Sequence, residues 1–141
     1  MKRIRLLCLI LATFTCFTCG CIKKQPYKFL YDVTEIEQIS IVYMTNANQV
    51  DNDYETIVVI EDKDEFLEEF NKILFNKFLL GDPTHIHNNV KVILIEYNNG
   101  DYEFIDYYAQ DRFKNNECYF GRVNCNEEEF NNFINKYLPD E

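Results

Sequence analysis

The sequence predicts an α+β fold: a mainly antiparallel five-stranded sheet with two helices packed on one face, in the order ββα-βββα. Three observations carry this expectation. Runs rich in β-branched and aromatic residues recur at strand length. Two stretches repeat apolar residues at helical spacing behind an acidic start. Asn99-Gly100 stands between two strand-like runs, a strong hairpin signal because both residues tolerate positive φ.

Taken in order, residues 36–44 (IEQISIVYM) and 54–60 (YETIVVI) read as two strands joined by a polar stretch. Asp62 then offers an N-cap with Glu65 three residues on, a capping-box pattern. Phe66, Phe70, Ile73, Leu74 and Phe78 follow as one helical stripe, which Gly81-Asp82-Pro83 ends. Residues 90–97 (VKVILIEY) and 102–109 (YEFIDYYA) flank the Asn-Gly turn, and residues 117–123 form the fifth strand. Asn126 caps the last helix with Glu129 at its third position, while Cys125 and Phe130 stand as a hydrophobic staple. Its stripe is Phe130, Phe133, Ile134, Tyr137 and Leu138, and Pro139 follows. Residues 60–66 and 123–130 echo each other: strand, cap, acidic first turn, Phe. Acids in a first helical turn are expected from the dipole alone, so convergence explains the echo as well as duplication does.

The first 21 residues give an address. Lys2, Arg3 and Arg5 precede an apolar core that begins at Leu6 and runs on through Phe14 and Phe17, the pattern of a secretory signal. The threonines arrive too early for a span of about 20 apolar residues. Thr18-Cys19-Gly20-Cys21 resembles the lipobox of bacterial lipoprotein precursors, with Gly20 at the small position and Thr18 where that family usually carries Leu. The resemblance implies cleavage after Gly20 and diacylglycerol on Cys21. It covers only these residues. An ordinary signal peptide and a retained anchor are the competing readings. The expected organisation is therefore a signal peptide over 1–20, a lipid-anchored tether over 21–34 and one α+β domain over 35–141. The tether (IKKQP after Cys21) carries a proline and brings Lys23, Lys24 and Lys28 close to where anionic lipid would lie.

Composition narrows the classes. Loss of residues 1–20 removes Lys2, Arg3 and Arg5 and no acid, so 11 of the 14 bases face 24 acids, a net charge of −13 over 121 residues. A chain so acidic is a poor nucleic-acid binder. Ser40 is the only serine and lies within a strand run. Gly81, Gly100 and Gly121 are far apart, which excludes a glycine-rich phosphate loop. No pair of acids is marked for general acid–base work. His85 and His87, with Asp82, form a weak candidate metal site, short of the ligands a closed site needs. Pairing of Cys118 or Cys125 with either histidine would make a thiol nucleophile, but one cysteine reads as a sheet residue and the other as a staple. A strand between the two cysteines would hold them beyond disulfide reach, so free thiols are expected.

The functional expectation is a non-enzymatic, envelope-anchored lipoprotein at the cell membrane or outer membrane, binding an unknown protein or small ligand without a cofactor. A metal-binding lipoprotein using the His85/His87 loop and a purely structural envelope component are the alternatives. Taking Asn99-Gly100 as a two-residue turn pairs Tyr97 with Tyr102 and Ile95 with Phe104 on one sheet face. The expected binding face is then Tyr97, Tyr102, Phe104 and Tyr108, turned away from the helices. Tyrosines suit a surface wet when free and buried when bound. The alternative cover for that face is the segment 27–31, a loop or a dimer mate.

Overall fold

A computed structural model describes residues 24–47, 53–77 and 85–139. The expected lipid site Cys21, the candidate ligand Asp82 and the expected helix residue Phe78 lie outside the described residues. In chain order the elements are β1 (Lys24–Pro26), β2 (Ile36–Asn46), β3 (Asp53–Val59), α1 (Lys63–Phe70), β4 (Leu74–Lys77), β5 (Val90–Tyr97), β6 (Tyr102–Ile105), β7 (Ala109–Lys114), β8 (Glu117–Asn124) and α2 (Glu127–Asn135). A short 3₁₀ turn, Val33–Glu35, leads into β2. The eight strands of the described residues join one antiparallel sheet in the order β1-β4-β8-β7-β6-β5-β2-β3. The expected five-stranded sheet is therefore wrong. The class stays close, because both helices pack on the same face.

Each extra strand has a local cause. The expected first helix stops at Phe70, where Asn71 caps it, and the chain turns into β4. Ile73 and Phe75 are buried while Leu74 between them is 42% exposed, an alternation of period two that departs from the helical stripe, which put Leu74 inside and left Phe75 out. The expected strand 102–109 breaks at Asp106, whose N–H donates to Ala109 O (2.9 Å) and whose carboxylate accepts the Tyr107 N–H (2.6 Å). This turn holds no Gly or Pro, and the polar run beyond it (AQDRFK) is β7 rather than a loop. β1 lies in what reads as tether. It pairs Pro26 with Leu74 and Lys24 with Asn76.

The hairpin at Asn99-Gly100 forms, but with a three-residue loop. Gly100 N–H donates to Tyr97 O (2.8 Å), Tyr97 N–H donates to Asp101 O (2.9 Å), and Gly100 takes φ 85°. That is a type I turn closed by a left-handed glycine. The two-residue turn with both φ values positive is instead Asn115 (53°) and Asn116 (64°), between β7 and β8. The longer loop shifts the β5–β6 register by one residue, to Ile93↔Ile105, Leu94↔Phe104, Ile95↔Glu103 and Glu96↔Tyr102. A slip of one residue reverses every facing assignment.

The sheet is buried on both sides. The helix side packs Ile39, Ile41, Ile93, Ile95, Tyr97 and Ile105 against Phe66, Phe70, Phe130, Phe133 and Ile134. The far side packs Val42, Met44, Val92, Leu94, Phe104 and Ala109 with Ile86. Aromatic edges join the helices: Phe66 meets Phe133 at 4.9 Å and Phe70 meets Phe133 at 5.6 Å between ring centroids.

Residues 27–31 belong to the helix side. Tyr27 is 5% exposed, and its hydroxyl donates to Glu103 (2.8 Å). Gln110 lies 2.9 Å away on the same hydroxyl, where Gly121 on the neighbouring strand leaves room for its side chain. Glu103, fully buried on β6, also accepts from Arg112 Nε (2.8 Å), Leu30 N–H (3.0 Å) and the Tyr97 hydroxyl. A buried charge is tolerable only when paired and hydrogen-bonded in this way. The network fastens residues 27–30 to three strands at once.

Candidate binding face

The side of the sheet away from the helices has two unlike halves. One is roofed by the chain itself. Asn89 N–H donates to Met44 O (2.6 Å), Asn88 accepts from Ala47 N–H (2.6 Å), and the Tyr108 hydroxyl donates to His85 O (3.4 Å). Asp111, buried on this face, accepts from Ile86 N–H, and Ile86 packs into the apolar cluster. The His85 ring lies 3.8 Å from Phe120 and the His87 ring 4.8 Å from Tyr108. The segment 85–89 thus covers one end of the face, as the loop alternative allowed.

The other end is an aromatic ledge. Tyr102 stacks on Phe113 at 4.5 Å with planes 15° apart. Tyr54 and Tyr102 meet the edge of Phe104 at 5.4 and 5.6 Å. Phe104 is wholly buried beneath them, Tyr102 and Phe113 are half-buried, and Tyr54 is 42% exposed. Burial pushes the Tyr54 and Tyr102 hydroxyls above the usual tyrosine range, so both are neutral donors near pH 7.

The expected four residues do not all share this face. Tyr102, Phe104 and Tyr108 do, whereas Tyr97 is 1% exposed on the helix side. The one-residue shift in register is the reason. Tyr54 and Phe113 were missed. Tyr54 carried no signal beyond strand alternation, and Phe113 lay in a run too polar to read as strand. Tyr108 is held by the histidine segment and contributes less to the open end.

Other chemistry is weak. Among the described residues no group of three His, Cys, Asp or Glu side chains is placed to hold a metal ion. Cys118 and Cys125 are free, at the two ends of β8. Burial pushes their thiols up to about 11 and about 12, away from the thiolate a nucleophile needs. Asp106 and Asp111 are raised to about 6 by burial. Each keeps one oxygen without a hydrogen-bond partner among the described residues. Both are packed within the sheet and its turns, at 2% exposure each. Between α1 and α2 runs a groove of about 460 Å³, floored by Ile73 and Phe133 and spanned by the Lys136–Glu69 pair at 3.0 Å. Its rim mixes both charges and selects no ligand class.

No protein-family model matches the chain, and neither a curated protein nor a solved structure matches it. Among the described residues no helix is long and apolar enough to cross a membrane.

Proposed function

We propose that the protein is a lipid-anchored, non-enzymatic envelope protein whose sheet binds a protein or small-ligand partner through the ledge of Tyr54, Tyr102 and Phe113. The observation that carries the binding reading is that ledge: half-exposed tyrosines over a buried Phe104, on the sheet face that the helices leave alone. Rings of this kind supply contact area at low entropic cost and keep a polar tip for water. The anchoring reading rests on Gly20-Cys21 behind the basic and apolar start. Diacylation gives a hold that a single acyl chain does not.

Cys21→Ser should move the full-length protein from the membrane fraction to the soluble fraction. Tyr54→Ala with Tyr102→Ala should keep membrane fractionation and a cooperative melt, yet lose whatever cross-links to wild type in the native envelope. If Cys21→Ser still sediments and wild type takes up no labelled fatty acid, the anchoring reading is wrong. Adducts identical in wild type and the double variant would remove the ledge.

A further inference from the structure

We propose that the β1–β4 edge of the sheet lies against anionic phospholipid, with the face away from the helices contributing Lys24, Pro26, Leu74 and Arg122 to the contact. This rests on the lipid-anchor reading and adds an orientation to it. The first described strand starts at Lys24, three residues after Cys21. Three residues of extended chain reach about 11 Å at most. In a domain anchored at Cys21 no more than three residues separate the lipid from β1, and the edge that β1 forms is held within about one headgroup layer of the bilayer.

Pairing of Lys24 with Asn76 and Pro26 with Leu74, and of Asn76 with Asn124, places these residues on one face. Arg122 shares it, opposite Ala109, which belongs to the cluster on the far side from the helices. Lys24, Pro26, Leu74 and Arg122 are exposed, and Leu74 is 42% accessible although it is a large apolar side chain. Neither β1 (KQP) nor β4 (LFNK) contains a carboxylate. Lys28 adds a further exposed cation just beyond β1.

In a chain of net charge −10, the carboxylates concentrate elsewhere. Asp64 and Glu65 occupy the first turn of α1, and Glu127, Glu128 and Glu129 that of α2. Asp53 and Glu55 are on β3, the opposite edge of the sheet. An anionic surface attracts the basic edge and repels the rest, so charge orients a domain that lipid already tethers. The Tyr54 ring lies over Phe104 on β6, four strand spacings from β1, roughly 19 Å along the sheet, so the aromatic ledge stands away from the lipid-facing edge.

Amine footprinting of the wild-type lipidated protein tests this. The protein is placed in vesicles of phosphatidylglycerol with phosphatidylethanolamine, in vesicles of phosphatidylcholine alone, and in detergent. Lys24 and Lys28 should react about fivefold more slowly in the anionic vesicles than in detergent, with less protection in phosphatidylcholine. Lys72 and Lys136, on the helix side, should react equally in all three. Equal reactivity of all four lysines, or protection of Lys72 and Lys136 instead, overturns the orientation. Protection of Lys24 and Lys28 that is the same in both kinds of vesicle shows tether proximity alone and also overturns it. Labelled palmitate is followed in the same preparation. Its absence overturns the anchor and the orientation together, whereas its presence without protection overturns the orientation alone.

Discussion

Among the described residues three carboxylates are buried in the sheet and its turns, and they meet burial differently. Glu103 accepts from an arginine, a backbone N–H and two tyrosines. Asp106 and Asp111 each accept one backbone N–H and leave the other oxygen without a partner among the described residues. Burial raises both to about 6 from an ordinary 3.8, so the folded state holds its protons more tightly than the unfolded chain. Their contribution to stability is fully present below the unfolded value and is lost as pH rises through about 6. Keeping either carboxylate charged in the fold at neutral pH costs on the order of 3 kcal/mol. The melting temperature should therefore rise as pH falls from 7.5 to 5.5. Asp111→Asn should raise it at pH 7.5 and flatten that rise. A variant that melts lower at pH 7.5, with the wild-type slope intact, would show that the carboxylate charge is not the cost. None of these three roles was legible in the sequence, because an acid on a strand reads as a solvated residue until its neighbours across the sheet are known.

At the scale of elements, local rules held where a cap or a turn closes on itself. Asn126 accepts from Glu129 N–H at 2.8 Å, and Asp62 from Glu65 N–H at 2.9 Å, both as their spacing predicts. Phe130, Phe133 and Ile134 are buried, and Tyr137 is half-buried against Phe66 at 4.9 Å. Phe130→Ala should cost about 3–5 kcal/mol in urea unfolding. Asn132→Ala, on the exposed side of the same helix, should shift the curve by less than about 0.5 kcal/mol. Equal shifts would refute the buried stripe. Elements that depend on a distant partner were less legible. β4 exists because it fills the gap between β1 and β8, and its residues suit a continued helix as well as they suit a strand. β7 is held by pairing on both sides, which lets a run as polar as Gln110, Asp111 and Arg112 remain in the sheet interior.

On the scale of the molecule, the stretch that reads as tether closes the fold. Tyr27 meets Phe70 and Phe75 at 5.7 and 5.4 Å, and Tyr31 meets Tyr97 at 5.1 Å. A chain beginning at residue 32 loses β1 and these rings, and leaves Glu103 with Arg112 and Tyr97 alone. It should unfold at markedly lower temperature than a chain beginning at residue 21 with Cys21→Ser, since losing one buried aromatic ring alone costs about 3–5 kcal/mol. Equal melting temperatures would return the segment to the role of a stalk.

Sequence alone determined the helix caps, the strands built from β-branched runs, the antiparallel character and the location of a tight turn at Asn99-Gly100. Each of these follows from interactions within a few residues. Tertiary structure decided the number of strands, the sheet order, the fate of residues 24–31 and the face on which each tyrosine lies. Those depend on which backbone edges are left to pair and on one residue of hairpin register. Because side chains alternate at every residue along a strand, that single residue moved Tyr97 into the core and left Tyr102 on the far face.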